Sequence, residues 1–289
     1  MSAEGLFAEH RPLLFSVAYE ILGSVADAED VLQDSYLRWR DVDLGTVEHP
    51  RAYLARIVTR QALNALRAAS RRREEYVGPW LPEPLEAASG DTPAEHVLTG
   101  EAVTTAMLLV LESLTPTERA VFVLREVFDF GYPEIAAAVG KSEATVRQTA
   151  HRARGHVRAR RPREVVDPAV AQGVAERFIA ATASGDVQSL LDLLAPDVVY
   201  VGDGGGVKSA ARRPVLGPDR VARMMIGTLR KSADLGEMGL RFGVFNGMPA
   251  MVVSFDGAVD LVLCVEVVGT RVTAVYVVRN PDKLHRVIG

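Results

Sequence analysis

The sequence predicts a multidomain chain: two all-α helical domains, the second carrying a helix-turn-helix, followed by a C-terminal α+β domain. Three observations predict it. Apolar residues recur at helical spacing from Leu6 to about Leu66 and again from about Ala94 to Ala153. Between them, Gly78 to Pro93 holds four prolines and two glycines, a composition that favours an extended linker over a helix. After Pro168 come helices and then short β-type runs, joined by Asn246-Gly247 and Asp256-Gly257, two strong hairpin signals. The expected divisions are 1–76, 77–95, 96–163 and 168–289.

In the first domain, Leu6, Leu13, Leu14, Val17, Ala18 and Ile21 make one helical stripe, which Gly23 ends. A second helix over Asp27–Arg40 turns Ala28, Val31, Leu32 and Trp39 inward and leaves Asp27, Asp30, Gln33 and Asp34 on a polar side. The third helix, RAYLARIVTRQALNALRAASRRR, faces the core with Leu54, Ile57, Val58, Leu63 and Leu66. Arg51, Arg56, Arg60 and Arg67 project around the rest, with Tyr53 and Asn64 among them. Arginine, an aromatic ring and an amide suit unpaired strands, whose bases stack and expose their edges. An arginine-rich helix alone would equally fit RNA, a membrane surface or an acidic protein. In the linker, Trp80 and Leu81 gain nothing from water, so they are expected to dock on a domain or a partner.

The second domain opens with a helix over Ala94–Leu114. Thr115-Pro116-Thr117-Glu118 then starts another, with Thr115 as N-cap, Pro116 at the first position and Glu118 reaching back. Val121, Phe122 and Leu124 are its buried side. In YPEIAAAVGKSEATVRQTAHRAR, two short helices meet at Gly140, Ile135, Ala136 and Val139 packing against Val146, Ala150 and Ala153. Ser142 caps the second helix. Its outer face carries Glu143, Ala144, Arg147, Gln148, His151 and Arg154, side chains that read base edges and grip phosphates in the duplex. The tail RARGHVRARRPR adds non-specific phosphate attraction.

The formal net charge is −4, which hides a segregated pattern. Arg51 to Arg73 holds seven arginines and no acid, and Thr145 to Arg163 holds seven more, again with no acid. Local charge governs phosphate binding. The single Cys264 excludes an internal disulfide and fits a reducing cytoplasm, the expected location. No stretch has the length and apolarity of a membrane span, and the N-terminus lacks a signal peptide's basic start and apolar core.

Taken together, these segments resemble a sigma-70 family factor of the extracytoplasmic-function group. The acidic helix DAEDVLQDSYLRW resembles sigma region two, which implies that Asp27, Glu29, Asp30, Gln33 and Asp34 bind core RNA polymerase. The arginine-rich helix resembles the element that captures the melted non-template strand of the minus-ten promoter element. Arg60 and Tyr53 stand where many relatives carry asparagine and tryptophan. LTPTERAVFVLREVF and the helix-turn-helix resemble region four, the reader of the minus-thirty-five duplex. Three short motifs resemble one subgroup with a C-terminal SnoaL-like cone: WLPEP (Trp80, Leu81, Pro82 and onward), DGGG with a following lysine (Asp203, Gly204, Gly205, Gly206, Lys208) and NPDKL (Asn280, Pro281, Asp282, Lys283). Val207 is inserted before that lysine. The resemblance implies that the cone regulates the sigma factor within one chain, through contacts of these motifs, and that a small molecule could enter the cone.

The resulting expectation is a promoter-selecting factor with no catalytic residue, cofactor or metal of its own. Two alternatives stand beside it. One is a duplex-DNA regulator that works without polymerase, which leaves the first basic helix without a task. The other is an acid/base enzyme fused to a DNA-binding module, with Asp203, Asp256, Asp260 and Glu266 as candidate acids and Lys208 and His285 as partners.

Overall fold

The computed structural model describes residues 2–86, 104–160, 166–232 and 234–288, which fall into two compact units. The beginning of the helix expected from Ala94, the linker beyond Glu86 and the end of the basic tail lie outside the described residues.

The first unit is helical. α1 (Ala3–Leu22) starts at Ser2, whose hydroxyl accepts from Gly5 N, and ends at Gly23, held left-handed at φ 70°. α2 (Val25–Arg40) is capped by Ser24. α3 (Pro50–Glu74) packs against both, around a fully buried Trp39 whose Nε1 donates to Ala3 O at 2.7 Å. α4 (Thr105–Glu112) and α5 (Pro116–Phe122) follow, and the capping box between Thr115 and Glu118 forms as read. A π-helical turn over Val123–Val127 leads to α6 (Tyr132–Val139) and α7 (Glu143–Arg160). Much of the expected basic tail is therefore the continuation of α7.

One detail of the hairpin differs. In α6 the buried residues are Ile135 and Ala138, while Ala136 and Val139 are only partly covered. Ile135 and Ala138 are three apart and share a face, and α3 packs on this helix, which favours the smaller alanine at the close approach.

Arg119 of α5 joins the two halves of this unit. It is 1% exposed, and its Nε donates to the carbonyl of Glu20 in α1 at 3.0 Å while Nη1 pairs with Glu112. Burial pushes the Glu20 carboxyl up to about 8 against the opposing pull of Arg119. The folded unit therefore binds this proton more tightly than the unfolded chain. Its stabilising effect is complete below pH 4.5 and is lost as pH rises through about 8. Urea titrations across this range should show stability falling by up to about 1.4 kcal/mol per pH unit, and Glu20→Gln should flatten that slope.

In the second unit, α8 (Pro168–Ser184), α9 (Val187–Leu193) and α10 (Pro218–Ser232) lie on one face of a six-stranded sheet of order β2-β1-β6-β5-β4-β3. The strands are β1 (Leu194–Asp203), β2 (Val215–Leu216), β3 (Met238–Phe245), β4 (Met248–Phe255), β5 (Ala258–Val268) and β6 (Arg271–Val278). Both expected hairpin turns form, with Asn246 and Asp256 at positive φ. The sheet is mixed rather than antiparallel throughout, because β1 pairs in parallel with β6. Pro196 lies three residues beyond the end of α9. It sits early in β1, where the register shifts between Leu194 and Val199 and no ladder donor is required of it. Phe178, Leu190, Val198, Tyr200, Val221, Val265 and Val275 fill the space between helices and sheet.

Candidate nucleic-acid interface and linker seat

Helix α7 presents its basic face as the sequence predicts. Val146, Ala150 and Ala153 are buried, and Arg147, Gln148 and His151 are exposed. Ser142 Oγ accepts from Thr145 N at 3.3 Å. Arg147 is poised rather than loose: its guanidinium lies 4.3 Å from the Tyr132 ring centroid and donates through Nε to Glu143 at 3.1 Å. Arg154 lies 3.6 Å from Glu126 and 3.5 Å from the Tyr132 hydroxyl. Tyr132 is thus a platform that orients two candidate DNA-reading arginines.

The candidate strand-binding face of α3 is arranged differently. Leu54, Val58, Leu63 and Leu66 are buried, with Ile57 partly covered. Arg56 stacks over Tyr53 at 4.3 Å, and Tyr53 in turn meets Trp39 at 5.7 Å between centroids. Arg67 donates to Asn64 Oδ1 at 3.3 Å. Arg60 and Arg51 reach across to the helix-turn-helix half. Arg60 donates to Ala137 O at 2.8 Å and Ala138 O at 3.3 Å, and Arg51 to Phe128 O at 3.4 Å. A cavity of about 230 Å³ between α3 and α6 is lined by Arg60, Leu63, Asn64, Arg67 and Gly140, among others. On α2, Asp30, Gln33 and Asp34 are exposed; Glu29 is partly covered and pairs with Arg11 at 2.6 Å.

The three short motifs meet in the second unit. Tyr76, expected at the end of the first domain, belongs to that unit together with residues 77–86 of the expected linker. Leu81, Pro82, Glu83 and Pro84 are buried in it. Asp203, with no exposed surface, is the hub: its carboxylate accepts from Tyr76 OH at 2.5 Å, Leu81 N at 2.9 Å, Gly205 N at 3.1 Å and Lys283 Nζ at 2.7 Å. Lys283 also donates to Leu81 O at 2.5 Å and lies 4.1 Å from the Trp80 ring centroid. The Asn280 side-chain amide donates to Tyr76 OH at 2.8 Å and its Oδ1 caps the turn at Asp282. The strands show why a segment this short suffices. Asp203, Val278, Val262, Val252 and Arg241 are successive partners across β1, β6, β5, β4 and β3. Four interstrand steps of about 4.8 Å make ~19 Å, close to the ~17 Å that five extended residues cover. Leu81 is bonded at the Asp203 end, and Glu86 pairs with Arg241 at the other. Asn246 exchanges two further hydrogen bonds with Leu85. The linker is a strap across the sheet, and its row has the opposite alternation to Tyr200, Leu263 and Val277, which face the helices.

The glycines follow from this packing. A Cβ on Gly205, at φ +62°, would stand 2.5 Å from the Asn280 side chain, and one on Gly204 would collide with the Lys208 carbonyl. Gly205→Ala should cost about 1–3 kcal/mol in a denaturation experiment, from left-handed strain plus overpacking. Lys208 turns away from the linker to Asp260 at 3.0 Å, which Arg279 also holds at 2.7 Å. Pro281 and Asp282 are exposed at the rim. Sequence reasoning missed Tyr76, Glu86 and Arg241, none of which stands in a short motif, and the side-chain role of Asn246, which the sequence marks only as a turn residue. The candidate acids do not converge: Asp203 holds the linker, Asp260 is in ion pairs, Asp256 is in a turn that accepts Glu237 N, and Glu266 accepts from Tyr276 OH.

Residues 6–72 match Sigma-70 region 2, and residues 104–157 match Sigma-70, region 4. The chain is 37% identical to the ECF RNA polymerase sigma factor SigJ of Mycobacterium tuberculosis over 96% of this chain and 91% of that protein. It is 31% identical to the probable ECF RNA polymerase sigma factor SigI of the same species over 95% and 92%. The crystal structure of M. tuberculosis SigJ superposes with a TM-score of 0.79 at 34% identity, covering 96% of each chain. Among the described residues no helix is long and apolar enough to cross a membrane. With both promoter-binding regions in order and such relatives along almost its whole length, the chain belongs to the extracytoplasmic-function group of sigma-70 family RNA polymerase sigma factors.

Proposed function

We propose that this sigma factor is regulated from within its own chain, through the strap that Tyr76–Glu86 forms on the C-terminal domain. The observation that carries the proposal is the Asp203 hub, which ties WLPEP to NPDKL and to the glycine loop. A buried cation and a buried carboxylate joined by backbone and hydroxyl donors make a specific seat rather than a slippery one. In this reading the acidic face of α2 docks on core polymerase. Arg147, Gln148, His151 and Arg154 read duplex, with Glu143 orienting Arg147. Arg51, Tyr53, Arg56, Arg60, Asn64 and Arg67 hold the melted non-template strand. Polymerase performs the chemistry.

The two elements are about 25 base pairs apart by their names, or ~85 Å of duplex at about 3.4 Å per pair. Because α3 and α6 touch, they must part before both can act. The strap sets how freely the chain between them can move. Transcription reconstituted with core polymerase tests this: Lys283→Met, which removes the ammonium group and keeps most of the apolar stem, should alter output from the target promoter several-fold. Unchanged output with a released strap would contradict it.

A further inference from the structure

We propose that the cavity between the root of the strap and the glycine loop binds a phosphate dianion, free or carried by a small metabolite, and that the bound anion holds the strap on its seat. Its effect on transcription rests on the reading of the strap as a regulator; the binding does not.

The cavity, about 300 Å³, lies wholly within the second unit, between Val77 and Gly78 on one side and the stretch 202–212 on the other. That volume stands at the small end of the ~300–1,000 Å³ that small-molecule sites occupy. Its walls are mostly main chain, because Gly78, Gly202, Gly204, Gly206, Ala210 and Ala211 contribute no more than a methyl group each. The close approach depends on the glycines: a Cβ on Gly206 would stand 3.2 Å from the Val77 side chain, and one on Gly202 3.2 Å from the Tyr200 ring. This main chain keeps donors to spare. Gly205 N–H goes to the Asp203 carboxylate, and those of Val207 and Lys208 go to Gly204 O. The N–H groups of Gly206, Ser209, Ala210, Ala211 and Arg212 have no acceptor among the described residues. Runs of such donors in turn conformation make anion-binding concavities.

The side chains carry the matching sign. No carboxylate lines the cavity, and the ionisable residues that do are Lys208 and Arg212. Arg212 is exposed and has no hydrogen-bond or ion-pair partner among the described residues. Lys208 Nζ rests on Asp260 at 3.0 Å, but Asp260 also holds Arg279 at 2.7 Å. Two cations thus share one carboxylate, which leaves a positive charge over. Arg279 also donates to Ser209 O at 2.9 Å and fixes the loop. Lys208, with its side chain 45% exposed, can therefore turn to an anion without stranding Asp260. A phosphate dianion has the charge and the oxygens to accept from a lysine, an arginine fork and main-chain donors together.

Val77 and Gly78 form one wall, so the site is complete only with the strap seated. An anion that binds this state alone stabilises it by mass action.

The test is isothermal titration calorimetry of the full chain in phosphate-free buffer, with inorganic phosphate, ribose 5-phosphate and uncharged ribose as probes. Both phosphates should bind and ribose should not. Arg212→Ala and Lys208→Met should each weaken binding about tenfold through loss of one charge-assisted contact, and the double variant should lose it. Tighter binding of ribose 5-phosphate supports the site as one for a phosphate ester, and equal binding supports it as one for free phosphate. Lys283→Met, which loosens the strap, should weaken both several-fold. The proposal is overturned if neither phosphate binds at millimolar concentration, or if the double variant, with unchanged circular dichroism, binds as the unaltered chain does. Equal binding by Lys283→Met would overturn the coupling to the strap. Run-off transcription is scored separately. Output that changes with Lys283→Met while phosphate fails to bind would sink the site and leave the regulatory reading standing. Binding that Lys283→Met weakens while output stays the same would do the reverse.

Discussion

Asp203→Ala should destabilise the C-terminal unit by about 3–5 kcal/mol, the cost of stranding a buried cation. Lys283, itself only 9% exposed, would lose its carboxylate, and Tyr76 OH and the Leu81 N–H would lose their acceptor. Asp203→Asn should cost less, since the amide oxygen can still accept from one or two of these donors. Chemical denaturation measures the loss. In a Trp39→Phe background the emission of Trp80 should shift to the red as the strap leaves its seat, before the unit unfolds. An Asp203→Ala protein with unchanged stability and emission would remove the hub from the account.

The second large effect is at Arg119. Arg119→Ala should cost the helical unit about 3–5 kcal/mol, because it removes the donor to the Glu20 carbonyl and leaves Glu112 facing a cavity. Arg119→Met should recover part of that loss by filling the volume without a charge. The comparison separates packing from pairing, and urea titration of both variants at one pH reads it. If alanine and methionine behave alike, the ion pair rather than the volume matters. If neither destabilises, the two helical halves are held by other contacts.

The parts of the fold visible in the sequence are those set by local chemistry. The capping box at Thr115–Glu118, the Ser142 cap, Gly23, Gly140 and the hairpin turns all form as read because a few adjacent residues determine them. The exposed face of α7 was legible for the same reason: helical periodicity fixes which residues look outward. The parallel β1–β6 pair was not, since nothing near Leu194 announces a partner some eighty residues on. WLPEP, DGGG and NPDKL could be recognised as words, and a tryptophan among prolines argued for docking. That they close on a single carboxylate depends on the sheet bringing Asp203 and Val278 into register. Tyr76 and Arg241 escaped because an aromatic just past a helix end and an arginine in a strand look ordinary until the strap that begins at the first reaches the second. Arg60 was placed on the DNA by its helix face, and only the fold shows that the same guanidinium already caps α6.

The most direct measurement is run-off transcription with purified core polymerase, the full-length chain and a template bearing its promoter. The account predicts one defined start site that disappears when Arg147 and Gln148 are both replaced by alanine. A chain that binds duplex tightly by itself, yet never directs core polymerase to a start, would contradict it.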